Sequence, residues 1–216
     1  MKVCAVLIVS LLVFLFAIQS CSGSSITVGE FFSETEITTP VMVHDVTALA
    51  TASLEITYDP SVLLVTAATE SAFSSLFANL QHAEEGWVSI GAYQVGGGLP
   101  PGDVKFVELT IAPRGSYGSY TNVDLSLNEL YDNNHTAIEA TVVDGFFYIG
   151  MNGDVLADRV INAADSEYIA RGIAGVPGNP PKFGPSEVSG DGIVDAYDCV
   201  YLARHAAGVP GYETLH

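Results

Sequence analysis

The sequence predicts a mainly β protein with a small α module, and three observations lead to this fold class. Between residues 26 and 149, short segments alternate polar and apolar side chains and are separated by turn-forming residues. After Gly150 this alternation stops. The segment Ile161–Gly178 then recurs 33 residues later as Val194–Gly211, with ten identical positions. Alternation is typical of half-buried strands, and a repeat of this period indicates two copies of one supersecondary unit.

Seven strand-like segments define the β region. The alternation is clearest in Ser53–Tyr58 and in Lys105–Ile111, where Val107, Leu109 and Ile111 share one face. The other strand-like segments are Pro40–Val46, Val62–Ala67, Trp87–Tyr93, Asn122–Leu127 and Thr141–Ile149. Residues 71–80 are expected to form a short helical turn or a loop. Many short strands separated by turns favour a β-sandwich or a barrel.

The amino terminus predicts export. Lys2 is followed by an apolar run, Val3–Ile18, and then by small polar residues, which is the layout of a secretory signal. Because spanning a bilayer takes roughly 20 apolar residues, an uncleaved anchor is the weaker interpretation. Ile18–Cys21 is similar to a lipobox, in which Cys21 would be lipidated, and plain secretion with cleavage nearby is the alternative. The predicted start is therefore a leader (1–21) and a tether (22–25), and any membrane contact is expected only through the leader or a lipid anchor.

The protein is strongly acidic, with 25 acidic and seven basic residues and a formal net charge of −18. Residues 26–149 hold 16 acids and two bases, and the chain from Gly150 onward holds nine acids and four bases. A nucleic-acid-binding protein needs a basic surface, so that class is excluded. The carboxylates suit divalent cations, a salty environment or simple solubility. Cys199 is the only cysteine beyond the leader, so no intramolecular disulfide is expected.

The second copy of the repeat contains a predicted calcium loop over residues 187–198. Oxygen-bearing side chains stand at places 1, 3, 5, 9 and 12 of this twelve-residue loop, and the carbonyl of place 7 adds a ligand. Calcium takes six to eight oxygens, and the glycine at place 6, Gly192, allows the sharp turn. The predicted ligands are Glu187, Ser189, Asp191, Ile193, Asp195 and Asp198. A helix over Cys199–Ala207 is expected to follow and to end at Gly208.

The first copy is an incomplete version of the same loop. Its predicted ligands are Asp154, Asp158, Val160 through its carbonyl, Asn162 and Asp165. Place 3 is Leu156, which has no side-chain oxygen, and place 6 is Arg159, which resists the positive φ that glycine adopts freely. The first loop is therefore expected to bind calcium more weakly than the second, or not at all.

Residues 152–211 resemble a dockerin, the paired calcium-loop module that binds cohesin domains. The resemblance lies in the DGIVDAYD core of the second copy and in its helix string YLAR, which is repeated as YIAR in the first copy. It implies partner contacts through the last loop residues and the following helix. The implied positions are Ala163, Ala164, Ala170, Arg171, Ala196, Tyr197, Ala203 and Arg204. Family dockerins often carry hydroxyls before the final loop Asp, so the alanines and Tyr197 leave the partner's identity open.

The β region resembles the cohesins. The string VTAL at residues 46–49, LEITYDPSVL at 54–63 and the closing strand at 142–149 are similar to cohesin strands. This implies a nine-stranded jelly-roll sandwich over residues 26–149, followed by the dockerin-like module over 150–216. Related carbohydrate-binding sandwiches carry similar strings. The acidity and the cohesin–dockerin fusion suit an archaeal origin.

No catalytic set is present, since the sequence has neither an HExxH zinc pattern nor a Gly-x-Ser-x-Gly elbow. The two resemblances imply a non-catalytic scaffolding protein outside the cell or on its surface. The cohesin-like domain would receive dockerin-bearing proteins, and the module would bind another cohesin in a calcium-dependent way. Because the junction at 148–151 leaves almost no linker, the module is not expected to fold back onto its own sandwich, and any self-association is expected to be head-to-tail.

Polysaccharide binding is the alternative function. Sugar platforms need exposed planar aromatics, and the candidates are Trp87, Tyr93, Tyr117 and Tyr120. In this alternative the dockerin-like module attaches the sandwich to a polysaccharide-degrading complex. Asn134 begins an Asn-His-Thr sequon in a predicted loop, which makes it a candidate glycosylation site in an exported chain.

Overall fold

A computed structural model describes residues 23–179 and 184–216. The chain forms a β-sandwich followed by two helices. The strands are β1 (Ser24–Thr27), β2 (Glu30–Phe32), β3 (Ile37–Val46), β4 (Leu49–Thr57), β5 (Leu63–Thr69), β6 (Ser75–Asn79), β7 (Trp87–Tyr93), β8 (Gly102–Pro113), β9 (Tyr120–Asp132), β10 (Ala140–Val143) and β11 (Gly145–Tyr148). A short 3₁₀ helix, Ala83–Glu85, precedes β7, and the helices are α1 (Ala163–Ile173) and α2 (Ala196–Ala206).

Two sheets form the sandwich. The five-stranded sheet has the order β10-β1-β3-β8-β5, and the six-stranded sheet has the order β2-β11-β9-β4-β7-β6. The pairs β1–β10 and β2–β11 are parallel, whereas the other neighbours are antiparallel. The beginning and the end of the sandwich therefore lie side by side in both sheets.

The first and the last strand of the sandwich each cross from one sheet to the other. An added Cβ on Gly145 would overlap with the carbonyl oxygen of Gly29, so glycine is required where the two crossings meet. Asp144 Oδ1 accepts a hydrogen bond from the backbone N–H of Leu125 (2.8 Å), which holds the second crossing against β9. The continuous strand predicted over 141–149 is thus divided, because its halves pair in different sheets. Counting each split strand once gives the nine strands that the resemblance implied.

The apolar faces predicted from alternation form the sandwich core. Val107, Leu109 and Ile111 on β8 are fully buried, and so are Leu54 and Ile56 on β4. Burying one such side chain contributes roughly 1.5–3 kcal/mol. The period-2 pattern therefore predicted the inward faces correctly.

Residues 75–79 differ from the prediction. A helical turn or loop was expected there, but β6 pairs antiparallel with β7 at the edge of the six-stranded sheet. Of its side chains, Leu76 packs against the core while Phe77 and its successors are exposed. An edge strand with so little buried surface has too weak an alternation to be recognised from sequence.

The two loop–helix units repeat in space as they do in sequence. The bounds of α1 and α2 differ by 33 residues at both ends. The two units enclose a second, smaller core, in which residues at equivalent positions of the two copies are buried. Val155 is equivalent to Val188, and Ile169 is equivalent to Leu202. The second helix begins at Ala196, three residues before the predicted start, because Asp195 and Asp198 form a capping box. We call residues 150–216 the loop–helix module.

The predicted leader, with Cys21, lies outside the described residues. Ser24 and Ser25, which were assigned to the tether, lie in β1. Within the part of the chain that the structure describes, no helix is long and apolar enough to cross a bilayer.

Candidate functional site

The backbone of the second loop turns around its first residue. Glu187 Oε1 accepts hydrogen bonds from the N–H groups of Gly190 (2.7 Å) and of Ser189 and Asp191 (both 3.2 Å). Gly192 has a φ of 80°, with open space where a Cβ would be. The turn at place 6 is therefore the positive-φ turn that the sequence predicted.

Asp198 ties together the two ends of this loop. It is fully buried, and its Oδ1 accepts hydrogen bonds from the N–H groups of Val188 (3.0 Å) and Ser189 (3.1 Å). Its Oδ2 accepts from Asp195 N–H (2.8 Å), which completes the capping box of α2. The residue at place 12 thus closes the loop and begins the helix.

The carboxylates of the second loop satisfy part of what a calcium ion requires. Glu187, Asp191 and Asp195 each use one oxygen for backbone N–H groups of the loop, and the other oxygen makes no hydrogen bond to a described residue. Such oxygens are the ligands that calcium prefers. Within residues 23–179 and 184–216, however, no group of three His, Cys, Asp or Glu side chains is close enough to hold a metal ion. Calcium binding here stays a prediction.

The first loop has the same backbone turn. Asp154 is fully buried, and it accepts hydrogen bonds from Asp158 N–H at Oδ1 (3.1 Å) and from Arg159 N–H at Oδ2 (2.7 Å). Arg159 has a φ of 71°. This is the left-handed conformation that an arginine at place 6 was expected to resist. Val160 N–H donates to Asp158 Oδ1 (2.9 Å). The first loop therefore adopts the turn without the glycine.

Asp165 closes the first loop as Asp198 closes the second. It is fully buried and accepts hydrogen bonds from the N–H groups of Leu156 and Asn162 (both 3.0 Å). Burial is the largest cause that raises the pKa of this carboxyl, and the neighbouring Asp154 and Asp158 raise it further. The place-12 residues of both copies thus act on the backbone in the same way.

The eight residues that the dockerin resemblance assigns to partner binding are all exposed. They are Ala163, Ala164, Ala170, Arg171, Ala196, Tyr197, Ala203 and Arg204. Arg171 forms an ion pair with Glu167 one turn earlier (2.5 Å), and the Arg204 guanidinium lies 4.9 Å from the ring centre of Tyr212. Both helices therefore offer accessible surfaces that end in a positive charge.

The loop–helix module covers one edge of the six-stranded sheet. All four residues of β11 are buried, although only Phe147 among them belongs to the sandwich core. Gly184 lies so close to the ring of Phe146 that an added Cβ would overlap it, and the Tyr148 hydroxyl donates to the carbonyl oxygen of Asp154 (2.9 Å). The module therefore packs against its own sandwich. The expectation that the short junction would prevent this was wrong.

The outer surface of β9, β4, β7 and β6, which we call the open face, is uncovered. The residues that point outward in register are Thr51, Ser53, Glu55 and Thr57 on β4, Trp87, Ser89, Gly91 and Tyr93 on β7, and Asp124, Ser126 and Glu129 on β9. Among the described residues, Glu55, Asp124 and Glu129 form no ion pair.

An aromatic pair marks the β6 edge of the open face. Phe77 is 61% exposed, and its ring stacks on that of Tyr93 with centres 5.8 Å apart. Exposed aromatic side chains on a flat surface are typical of protein-binding patches. Sequence reasoning missed this surface because β6 was not recognised and because outward residues of strands carry no periodic signal of their own.

The four aromatic residues considered for sugar binding do not form one platform. Trp87 and Tyr93 share the open face but stand at opposite ends of β7, roughly 20 Å apart. Tyr120 is exposed and stacks on Phe146 with ring centres 5.5 Å apart. Tyr117 contacts the module and is not free for a sugar.

The structure also places Asn134, the candidate glycosylation site, and Cys199, the cysteine beyond the leader. Asn134 is exposed in the turn that follows β9, and an isolated bridge between Tyr131 and Ala137 closes this turn. Cys199 packs against the module core, and burial, followed by Asp198, raises the pKa of its thiol. A raised pKa disfavours the reactive thiolate.

The structure is thus a two-sheet sandwich whose outer face carries the acidic side chains of Glu55, Asp124 and Glu129. The family model of the Cohesin domain matches residues 24–149, which is more than half of the chain, and the chain therefore belongs to the cohesin family. Cohesin domains are non-catalytic protein-binding modules, which agrees with the prediction that the protein is not an enzyme.

Solved cohesins have the same fold. The chain is similar to a non-cellulosomal cohesin from the archaeon Archaeoglobus fulgidus (16% identity, TM-score 0.51, covering 60% of this chain and 93% of that chain). It is also similar to the sixth cohesin of scaffoldin B from Acetivibrio cellulolyticus, solved with a mutant Cel5 dockerin (17%, 0.52, 59% and 99%). A third is the OlpC cohesin of a type I cohesin–dockerin complex from Clostridium thermocellum (16%, 0.53, 59% and 94%). A search of curated proteins found no significant match.

Proposed function

We propose that the protein is a non-catalytic assembly protein outside the cell or on its surface, and that it carries both a receiving and an inserting element. The cohesin domain receives dockerin-bearing proteins, and the loop–helix module is a dockerin-like element that binds the cohesin of another protein. The observation that carries the proposal is the pair of loop–helix units with identical spacing and equivalent buried residues, joined to a cohesin sandwich. Solved relatives of this sandwich are in complex with dockerins.

The open face is the proposed receiving surface. It is the part of the six-stranded sheet that the chain's own module leaves uncovered, and it presents Glu55, Asp124 and Glu129 without ion-pair partners among the described residues. A partner with basic residues would complement it. The exposed Phe77–Tyr93 pair supplies the apolar contact area that such an interface needs.

Calcium is the proposed cofactor of the module, at the second loop. Glu187, Ser189, Asp191, Asp195 and Asp198 would hold it together with the carbonyl oxygen of Ile193. The ion would neutralise the carboxylates of this loop and would fix the start of α2. Export would place the protein in a calcium-rich medium, with or without a lipid on Cys21.

Binding to a panel of cohesins and dockerins, with calcium and with a chelator, tests this function. We expect the chain without its leader to capture a dockerin through its sandwich and a cohesin through its module. Both interactions should weaken in chelator, because each pair includes a calcium-loop module. A chain that binds no member of either panel under both conditions would contradict the proposal.

The duplicated loops provide a matched pair of variants. Asp191→Ala is expected to abolish calcium binding in isothermal titration calorimetry, because it removes the place-5 ligand of the second loop. Asp158→Ala is the same change in the first loop and is expected to leave the calcium affinity unchanged within about twofold. Equal affinities of the Asp191→Ala variant and the native chain would refute the calcium assignment.

Polysaccharide binding is the second candidate, because Trp87 and Tyr93 both lie on the open face. Pull-down on insoluble cellulose and chitin separates the two functions. Retention that is lost in a Trp87→Ala variant would favour the sugar function over the assembly function.

A further inference from the structure

The first loop is held by the cohesin domain through a hydrogen bond to its place-1 residue. The Tyr117 hydroxyl, from the segment between β8 and β9, donates to Asp154 Oδ2 at 2.6 Å. The Tyr148 hydroxyl, at the end of β11, donates to the Asp154 carbonyl oxygen at 2.9 Å. Two tyrosines of the sandwich therefore meet one fully buried aspartate of the module.

Both carboxylate oxygens of Asp154 are already occupied by donors. Oδ1 accepts from Asp158 N–H, and Oδ2 accepts from Arg159 N–H as well as from Tyr117. Place 3 of this loop is Leu156, which offers no oxygen. Since places 1 and 3 offer no free side-chain oxygen, the residues present do not fit a calcium ion at the first loop. In the second loop, Glu187 at place 1 keeps one oxygen without a hydrogen bond to a described residue, and place 3 is Ser189.

Arg159 brings a fixed positive charge to the same place. Its guanidinium carbon lies 4.2 Å from the ring centre of Tyr117, and the group forms an ion pair with Glu34 of the sandwich at 2.7 Å. Its backbone takes the positive φ that Gly192 has at the equivalent position of the second loop. The residue that breaks the calcium pattern is thus the residue that contacts the cohesin domain.

The donors keep their protons at neutral pH. Burial, followed by the charge of Asp154, raises the pKa of Tyr148 to about 12. Burial and the hydrogen bond to Asp154 raise the pKa of Tyr117 as well. Both hydroxyls are therefore donors to Asp154 at neutral pH.

We propose that the first loop is an intramolecular docking element, in which Tyr117 and Arg159 occupy the position that a cation holds in a complete loop. The module is thereby fixed to the edge of its own cohesin domain, at β2 and β11, independently of calcium. It binds one calcium ion, at the second loop, and keeps the outer surfaces of α1 and α2 available. The docking of the first loop does not depend on the proposed calcium site. Only the expected number of one bound ion rests on that proposed function.

Amide hydrogen exchange of the chain without its leader tests the docking directly, with no mutation. In chelator, we expect the N–H groups of Asp158 and Arg159 to stay protected, because they donate to an Asp154 that the sandwich holds. Those of Gly190 and Asp191 in the second loop should exchange faster in chelator than in calcium. Loss of protection in both loops on calcium removal would overturn the proposal.

A matched pair of hydroxyl deletions tests the role of Tyr117. Tyr117→Phe should speed the exchange of Asp158 and Arg159 N–H by about tenfold, since a buried hydrogen bond to a charged group is lost. Tyr93→Phe removes a hydroxyl from the open face and should change neither amide. Unchanged exchange in Tyr117→Phe would contradict the docking.

Calcium titration gives the second readout. We expect one ion per native chain and one per Tyr117→Phe chain. Two ions of similar affinity in the native chain would overturn the proposal, while the binding panel would still report separately on the assembly function.

Discussion

At the scale of single residues, the two loops differ most at place 6. Gly192 adopts its positive φ without strain, whereas Arg159 adopts nearly the same φ against a cost of roughly 1–3 kcal/mol for a non-glycine residue. The structure compensates through contacts that sequence reasoning did not anticipate, the stacking of Arg159 on Tyr117 and its ion pair with Glu34. In the sequence, Arg159 is the loss of the turn glycine of a calcium loop. Its contacts explain it better as a residue that joins the module to the sandwich.

Tyr148 provides a pH-dependent prediction at this scale. Its folded pKa of about 12 lies above the unfolded value of about 10. Between those values the unfolded chain releases the proton while the folded chain keeps it, so the stabilisation present below pH 10 is lost as the pH rises toward 12. The loss amounts to at most about 3 kcal/mol.

Ultraviolet titration of tyrosinate checks this prediction. The difference between the native chain and a Tyr148→Phe variant should show one tyrosine that ionises near pH 12. A difference curve centred at the pKa of a free tyrosine would show that the module leaves this hydroxyl exposed to water.

At the scale of elements, each helix begins with a capping box built from residues that were predicted as calcium ligands. Asn162 and Asp165 cap α1, and Asp195 and Asp198 cap α2. A capping box needs only side-chain oxygens and backbone N–H groups, so α1 can begin in the same way as α2 although its loop lacks an oxygen at place 3. The helix and the loop are thus separable functions of one motif.

The two N-caps give a matched prediction. In chelator, Asn162→Ala and Asp195→Ala should each reduce the free energy of unfolding by about 0.5–2 kcal/mol, because each removes the acceptor for one N–H group of the first turn. In calcium, Asp195→Ala should cost more than Asn162→Ala, since it also removes a ligand. Chemical denaturation followed by circular dichroism measures both, and equal costs in calcium would contradict a ligand role for Asp195.

At the scale of the whole molecule, the two proposed binding elements have a fixed relation. The module occupies the β2–β11 edge of the six-stranded sheet, and the open face occupies the β9-β4-β7-β6 part of the same sheet. The open face carries Glu55, Asp124 and Glu129, whereas the helices of the module end in Arg171 and Arg204. These charges are complementary. A contact between them would be heterologous, so repeated contacts would form chains rather than closed dimers.

Sedimentation at high protein concentration tests this head-to-tail association. We expect weak, calcium-dependent assembly that declines with added salt, because exposed charges are screened. A chain carrying both Arg171→Glu and Arg204→Glu should assemble less. Arg114→Glu, which changes a sandwich arginine paired with Glu84, is the charge-matched control. A strictly monomeric native chain in calcium would count against self-association.

Local patterns in the sequence determined much of this protein. Period-2 alternation identified the buried faces of β4 and β8, and the 33-residue repeat predicted two helices with the same spacing. The resemblance to cohesins, which the family match confirms over residues 24–149, was carried by strings within single strands and turns. These signals lie either within a short segment or at the fixed 33-residue spacing of the repeat, so a single sequence contains them in full.

Only the tertiary structure decided how these parts are joined. The division of the closing strand, the edge strand β6, the open face and the contact of the module with β11 all depend on pairings between distant segments. Tyr117 and Asp154 are 37 positions apart, and nothing in the neighbourhood of either residue indicates the other. The hydrogen bond exists because folding brings the β8–β9 connection and the first loop to the same end of the sandwich, and that proximity makes an incomplete calcium loop a docking element.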